Sequence, residues 1–182
     1  MTAPTPRFLV HPSPVGDILI VAEGERIVSL APFDAPLGVE LEQLSRRLGA
    51  VPEPETTDAA VTAAAQLDEY FAGERRQFTV DLEWRLVRGF RRDALEAACE
   101  VPYGETASYG EVAIMAGRPG AARAVGTACA TTPFSIVVPA HRVVRADGSL
   151  GQYGRHPALK RYLIDMEHAA LAGRTGSRGA SV

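Results

Sequence analysis

A stretch of small residues around a single arginine is the part of the chain whose side chains most clearly suit binding. Residues 121–130 have Arg123 as their only large side chain; the small members are Ala121, Ala122, Ala124, Val125, Gly126, Ala128 and Ala130. Small residues let a helix approach another surface closely, and a guanidinium is planar, stays charged and stacks on bases. Only Arg123 and Thr127 could make substantial side-chain contacts from such a helix. The segment predicts close approach to another surface and, if that surface is DNA, little reading of base edges; the alternative is a solvent-exposed arginine on a tightly packed alanine helix.

The residues before this stretch predict that it is the second helix of a helix-turn-helix. Ser108 can cap a helix over 109–116, and Glu111 completes a capping box three residues later. Residues 117–120, Gly-Arg-Pro-Gly, then break the chain tightly before the helix over 121–130. A helix, a short glycine-containing turn and a second helix form a pattern found in DNA-binding domains.

Charge is distributed unevenly along the 182 residues, whose net charge is −3. Residues 1–111 contain 10 Lys/Arg and 19 Asp/Glu, a local net charge of −9, whereas residues 112–161 contain 7 and 1, a local net charge of +6. Such asymmetry is expected when one domain contacts phosphates and the other does not. The alternative is a chance segregation of surface charge, but the basic part coincides with the predicted helix-turn-helix.

The first part of the chain predicts a small antiparallel sheet. Short apolar runs at 8–10, 17–22 and 27–30 are separated by turn residues, as in adjacent strands. Residues 77–82 alternate between polar and apolar side chains, which predicts a further strand.

Helices are predicted in both halves of the chain. Residues 38–48 and 59–71 have apolar residues at helical spacing, and residues 89–101 form a similar pattern in the second half. The connection between domains is expected near 83–88. Because the last residues are small and polar, 171–182 are expected to form a disordered tail.

Composition predicts a soluble protein of ordinary type, long enough for one large or two small domains. The apolar runs are too short to span a bilayer, and residues 1–7 lack the apolar core of a signal peptide. Cys99 and Cys129 are the only cysteines, so neither a disulfide framework nor a cysteine-based zinc site is expected. We expect a cytoplasmic location, no membrane contact, no metal and no cofactor.

Several short motifs follow one another along the chain. They are LDEYFAGE at 67–74, VPYGET at 101–106, SYGEVA at 108–113, GAARAVG at 120–126, VVPAHRVV at 137–144 and GQYG at 151–154. In this order they resemble the O6-alkylguanine-DNA alkyltransferase family, whose fifth motif reads Ile/Val-Pro-Cys-His-Arg-Val. The family's cysteine takes the alkyl group from the damaged base. Ala140 stands at that position, and a methyl side chain cannot act as a nucleophile.

The resemblance implies an α+β fold with two domains. Residues 1–86 would form an N-terminal α/β, ribonuclease-H-like domain, with the small antiparallel sheet and its helices. Residues 87–170 would form a helical, winged-helix-like domain that contains the helix-turn-helix. In the family, the helix that corresponds to 121–130 enters the minor groove of DNA.

Roles for individual residues also follow from the resemblance. Arg123 matches the arginine that fills the hole left by an extruded nucleotide, and Tyr109 resembles the tyrosine that helps to rotate that nucleotide. Thr127 and Arg142 are predicted as further DNA contacts. The lesion pocket is expected to be lined by Cys129, Thr132, Pro139, Ala140, Val143, Tyr153 and Gly154.

His141 and Glu167 match the family pair that deprotonates the cysteine through a water molecule. Without the cysteine, they either hold the pocket together through hydrogen bonds or activate another group such as water. Cys129 is a candidate for a displaced nucleophile, although nothing adjacent to it activates a thiol. Thr132 is a second departure, because the family has asparagine there.

The predicted function is recognition of damaged DNA without direct repair. A member without the cysteine is similar to the alkyltransferase-like proteins, which bind alkylated DNA and mark it for excision repair. Those proteins usually have tryptophan at the cysteine position, and many lack the N-terminal domain. The expected partner is double-stranded DNA containing O6-alkylguanine, bound by a monomer, with nucleotide excision repair proteins as a further class of partner.

Two enzymatic alternatives remain open at this point. The chain could be a methyltransferase inactivated by deliberate replacement of its cysteine. It could also be a diverged enzyme in which His141 and Glu167 direct a water molecule, or in which Cys129 acts, at the lesion.

Overall fold

The computed structural model of the chain describes residues 4–154 and 156–176. Within these residues, no helix is both long enough and apolar enough to cross a membrane. The chain divides into two compact units, one formed by Met1–Arg88 with Pro133–Val137 and the other by Gly89–Thr132 with Val138–Val182.

The first unit is built on a four-stranded sheet with the order β3-β2-β1-β4. Strands β1 (Arg7–His11), β2 (Ile18–Glu23) and β3 (Arg26–Pro32) pair antiparallel, as the sequence predicts. Strand β4 (Glu53–Pro54) was not predicted; it pairs with β1 in parallel and is only two residues long. The sheet is therefore mixed rather than purely antiparallel.

Two helices pack in this unit at the predicted positions. Helix α1 (Leu37–Leu48) places Leu44 against Leu19 and Val21 of β2. Helix α2 (Asp58–Phe71) begins after Thr57, whose side chain accepts a hydrogen bond from the Ala60 amide. Every residue of β2 is buried, so both faces of this strand are covered.

The strand predicted over 77–82 is wrong. The Thr79 amide donates to Gln66 Oε1 of α2 at 2.9 Å, and Gln66 Nε2 donates to the Thr79 hydroxyl at 2.7 Å. Only Leu82 reaches the sheet, as an isolated bridge to Ile27. The alternating pattern thus produced a segment in which Thr79 is held by the Gln66 side chain, and only the Asp81 carbonyl, which accepts from the Ile27 amide at 2.8 Å, pairs with β3.

Residues 133–137 return to the first unit, which the sequence does not predict. The Leu30 amide of β3 donates to the Pro133 carbonyl at 2.7 Å, and the Ser135 amide donates to the Leu30 carbonyl at 2.8 Å. Phe134 is fully buried, and its ring meets the Trp84 ring edge-on, with 5.1 Å between centroids. This short segment therefore pairs with the outer edge of β3.

The second unit is mainly helical. Its helices are α3 (Phe90–Ala98), α4 (Tyr109–Met115), α5 (Ala122–Ala130) and α6 (Pro157–Gly176). Strands β5 (Ala107–Ser108) and β6 (Val143–Val144) form a two-residue parallel pair.

The predicted helix, turn and helix over 109–130 are confirmed by α4 and α5. The Ser108 hydroxyl accepts from the Glu111 amide at 3.1 Å, and the Glu111 carboxylate accepts from the Ser108 amide at 2.6 Å, completing the capping box. Helix α6 continues to Gly176, so 171–176 are helical although the sequence predicts a disordered tail there. The rest of that predicted tail, 177–182, lies outside the described residues.

Candidate functional site

A groove of about 520 Å³ runs beside α5 in the second unit. It is lined by Tyr109, Ala122, Arg123, Gly126, Thr127, Ala130, Thr131, Arg145, Gly151 and Gln152. Two of these described lining residues are arginines, and none is acidic. The groove brings together three of the residues predicted to contact DNA: Tyr109, Arg123 and Thr127. Its charge suits a phosphate-bearing ligand.

Two glycines that line this groove, Gly126 and Gly151, allow their backbones to lie close to the Tyr109 side chain. A Cβ atom added at Gly126 of α5 would lie 3.7 Å from the tyrosine ring. At Gly151, whose φ is +69°, an added Cβ would lie 2.5 Å from the Tyr109 hydroxyl. A larger residue at 151 would therefore displace either the loop or the tyrosine.

Lys160 of α6 is a buried residue that the sequence analysis missed. Its ammonium group donates to the Val143 carbonyl and lies 3.3 Å from the Tyr109 hydroxyl and 5.4 Å from the centre of the tyrosine ring. Burial lowers the pKa of Lys160 to about 8. Burial also raises the pKa of Tyr109.

A signal for Lys160 was present in the sequence. The residues at 160, 163, 164 and 167 follow the spacing of one helical face, and all four are buried in α6. The sequence analysis assigned Glu167 of this face to the site but made no prediction for Lys160.

The segment that resembles the family's reactive motif forms a single turn of 3-10 helix, Ala140–Arg142. Ala140 and His141 have no exposed surface. His141 Nε2 lies 2.7 Å from Glu167 Oε1, and the Gly104 amide donates to Glu167 Oε2 at 2.9 Å. The predicted pairing of His141 with Glu167 is therefore present in the structure.

Protonation of this pair follows from its surroundings. Burial alone would raise the pKa of Glu167, but hydrogen bonds and charges from His141 and Arg142 outweigh it and lower the pKa to about 2. Burial lowers the pKa of His141, although Glu167 acts in the opposite direction. A neutral histidine beside an ionised carboxylate carries its proton on Nε2, which leaves Nδ1 as an acceptor.

The prediction that Arg142 contacts DNA is wrong, because its side chain is buried inside the unit. The guanidinium donates twice to Glu167, through Nε at 3.0 Å and Nη2 at 3.1 Å, and to the Val101 carbonyl at 2.8 Å. It also lies 5.5 Å from the centre of the Tyr103 ring. A buried carboxylate needs such a partner, and a guanidinium fork matches its geometry.

The predicted lesion-pocket residues are mostly buried. Cys129, Pro139, Val143 and Tyr153 are buried like Ala140, whereas Thr132 is half-buried and Gly154 is exposed. The Tyr153 and His141 rings meet perpendicularly, with 6.3 Å between centroids. None of these pocket residues lines the groove beside α5. The two sets are connected through Lys160, whose ammonium group contacts both the Tyr109 hydroxyl of the groove and the Val143 carbonyl.

Neither Cys99 nor Cys129 has a thiol whose pKa is lowered towards neutral pH. Burial raises the pKa of Cys129 to about 12, despite the nearby charge of Lys160. At neutral pH this thiol is protonated and is a poor nucleophile. Cys99 is exposed at the end of α3, away from the groove lining. Among the described residues, no group of three or more His, Cys, Asp or Glu side chains is arranged to hold a metal.

Two family models together match nearly the whole chain. The 6-O-methylguanine DNA methyltransferase, ribonuclease-like domain, matches residues 8–84, and the 6-O-methylguanine DNA methyltransferase, DNA binding domain, matches residues 89–169. A methylated-DNA–protein-cysteine methyltransferase of Mycobacterium leprae is 38% identical over 164 residues, which cover 90% of this chain and 93% of that protein.

Solved structures give the same result. The crystal structure of Mycobacterium tuberculosis O6-methylguanine methyltransferase has a TM-score of 0.73 and 35% identity, covering 91% of this chain and 94% of that one. A crystal structure of Mycobacterium tuberculosis OGT in complex with DNA has a TM-score of 0.73 and 36% identity, with the same coverage.

Proposed function

Since the chain belongs to the O6-methylguanine DNA methyltransferase family, we propose that it binds duplex DNA and holds O6-alkylguanine without accepting the alkyl group. In this proposal α5 enters the minor groove as part of a winged-helix-like domain, and the damaged nucleotide is flipped out of the duplex. The relative from Mycobacterium leprae is named a methylated-DNA–protein-cysteine methyltransferase.

The observation that carries the proposal is Ala140. It lies between Pro139 and His141, where the family motif has the acceptor cysteine, and it is completely buried. Transfer of a methyl group requires a thiolate whose lone pair attacks the alkyl carbon. Alanine has no such lone pair, so the ordinary reaction of the family cannot occur at this position.

Neither alternative chemistry is favoured by the geometry. Cys129 is buried, and its raised pKa keeps it protonated. Glu167 accepts hydrogen bonds from Arg142 and the Gly104 amide as well as contacting His141, an arrangement that supports a structural role for the pair. We therefore assign His141 and Glu167 to holding the buried site together rather than to activating water.

Recognition does not depend on the missing sulfur atom. The groove beside α5 presents Tyr109 and Arg123, and none of the described residues that line it is acidic. A guanidinium on a helix of small residues suits insertion into the space left by a flipped base, where stacking is worth about 1–3 kcal/mol per base. A bound lesion would then be marked, by a monomer in the cytoplasm, for nucleotide excision repair proteins.

The test is a comparison of affinities for two duplexes that differ only in one O6-methylguanine. Fluorescence anisotropy with the wild-type chain should show tighter binding to the methylated duplex, because a weakened pair costs less to open. Binding should also be largely independent of sequence. Equal affinity for the two duplexes would contradict the proposal, and Arg123→Ala should reduce the affinity for the methylated duplex.

A further inference from the structure

We propose that Arg145 and Arg91 are DNA phosphate contacts that extend the binding surface beyond the residues matched by the family motifs. This inference rests on the proposed function in that it takes duplex DNA as the ligand of the groove. It does not require that the protein discriminate damaged from intact DNA.

Arg145 occupies the wall of the groove that faces α5. Its backbone is held in a tight turn, because the Arg145 amide donates to the Ser149 carbonyl at 2.8 Å and the Gly148 amide donates to the Arg145 carbonyl at 2.9 Å. The side chain is exposed and lines the groove together with Tyr109 and Arg123. A fixed backbone with an exposed guanidinium suits contact with a ligand in the groove.

The only carboxylate in this turn, Asp147, is occupied within the turn. Its Oδ1 accepts from the Ser149 amide at 2.9 Å and from the Ser149 hydroxyl at 2.7 Å. These hydrogen bonds lower the pKa of Asp147, so it is ionised at neutral pH and the turn carries one charge of each sign. Of the two, only Arg145 lines the groove.

Arg91 extends the same surface past the end of α5. The Thr127 hydroxyl donates to the Arg123 carbonyl at 3.2 Å, and the Thr131 hydroxyl donates to the Thr127 carbonyl at 2.8 Å. Arg91 of α3 then donates to the Thr131 hydroxyl at 2.6 Å. These hydrogen bonds connect a line of exposed polar residues from Arg123 to Arg91.

The two ends of this line are far enough apart for Arg91 to contact a phosphate several nucleotides from the position of Arg123. Positions 123 and 131 are eight residues apart, a helical rise of about 12 Å at 1.5 Å per residue. Each strand of duplex DNA advances about 3.4 Å per nucleotide along its axis. Arg123 and Arg91 would therefore meet a DNA strand several nucleotides apart, with Arg145 acting from the opposite wall.

The test measures the salt dependence of binding for Arg145→Gln, Arg91→Gln and a matched control, Arg92→Gln. Arg92 follows Arg91 in α3, but its side chain pairs with Glu96 at 2.8 Å. Neither Arg92 nor Glu96 lines the groove beside α5. Dissociation constants for an intact and a methylated duplex are measured by anisotropy between about 50 and 200 mM NaCl. Thermal unfolding of each variant confirms that it is folded.

The slope of log affinity against log salt is negative, and its magnitude should decrease by about 0.9 for Arg145→Gln and for Arg91→Gln, on both duplexes. Arg92→Gln should keep the wild-type slope, and Arg145→Lys should restore it because the charge is kept. Wild-type slopes for folded Arg145→Gln and Arg91→Gln, or no binding of either duplex by the wild-type chain, would overturn the inference. Reduced slopes without any preference for the methylated duplex would support it while contradicting the proposed lesion recognition.

Discussion

Glu167 is the single side chain that connects most of the buried site. Its two carboxylate oxygens contact His141 and accept hydrogen bonds from Arg142 and the Gly104 amide. In a methyltransferase this carboxylate would serve catalysis through the histidine. Here it also compensates the buried charge of Arg142, which gives a physical reason for its presence without a cysteine.

Replacing Glu167 with Gln should destabilise the protein by about 3–5 kcal/mol, because the Arg142 guanidinium would remain buried without a counter-charge. Urea unfolding measures this difference. Glu42→Gln is the matched control, since Glu42 forms an exposed pair with Arg46 on α1. Its loss should cost less than about 0.5 kcal/mol. Similar small losses for both variants would show that the buried network contributes little.

Acid should weaken the fold through the same carboxylate. The folded-state pKa of Glu167 is lowered from 4.5 to about 2, so in this range the unfolded chain takes up the proton first. Its contribution is fully present above pH 4.5 and is lost as the pH falls towards 2. At 1.36 kcal/mol per pKa unit the loss is on the order of 3 kcal/mol.

Unfolding free energies of the wild-type chain and Glu167→Gln, measured from pH 6 down to about pH 2.5, should therefore converge. The lowered pKa of His141 adds a loss in the same direction below pH 6.5, because the unfolded histidine is protonated first. A constant difference between the two proteins across this range would contradict the assignment.

The structure brings part of the predicted set together and leaves the predicted lesion-pocket residues outside the groove beside α5. Tyr109, Arg123 and Thr127 line one groove, and His141 pairs with Glu167. Arg142 was predicted as a DNA contact, whereas its side chain is buried. Its burial depends on a carboxylate 25 residues away in another element, which local patterns do not reveal.

Among the elements, periodicity and capping residues predicted helices α1 to α5 and strands β1 to β3, but neither α6 nor the two-residue strands β4, β5 and β6. The Ser108 and Glu111 capping box fixed the start of α4 within the sequence itself. The strand expected over 77–82 does not form: Gln66 of α2 bonds the Thr79 amide and hydroxyl, and only Leu82 forms a bridge to Ile27 of β3. Residues 133–137 pair with the edge of β3, far away in the sequence. Because this pairing is a tertiary contact, no local sequence pattern predicts it.

The loop that carries Gly151 should be sensitive to a single methyl group. In Gly151→Ala the added Cβ would lie 2.5 Å from the Tyr109 hydroxyl, so the loop or the tyrosine must move. Gly148→Ala is the control, because its φ of +81° is equally unfavourable but nothing lies within 4 Å of the added atom. Both should lose about 1–2 kcal/mol of stability from the backbone conformation.

Only Gly151→Ala should also weaken binding of a methylated duplex, because it alone alters the wall of the groove beside Tyr109. Anisotropy measured on both folded variants separates the two effects. Equal affinities would mean that this loop does not shape the binding surface.

At the scale of the whole molecule, the charge asymmetry of the sequence has a structural counterpart within the second unit. The groove beside α5 is lined by Arg123 and Arg145, whereas a separate groove between α3 and α4 is lined by Asp93, Glu96 and Glu100. Such a distribution favours one orientation of this unit on a polyanion, with the basic groove towards the phosphates.

Lesion binding without repair requires that no alkyl transfer occurs at Ala140. The most direct measurement is the intact mass of the protein after incubation with a duplex containing O6-methylguanine, under conditions where anisotropy shows the complex to be formed. Ala140→Cys is the comparison, because it restores a thiol beside His141 and should gain one methyl group. Its rate should be low if Thr132 shifts the base, since small errors in attack geometry can cost about 100-fold. We expect the wild-type chain to bind the methylated duplex and to keep its original mass. A wild-type chain that gains a methyl group, at Cys129 or elsewhere, would show that the protein is an alkyl acceptor after all.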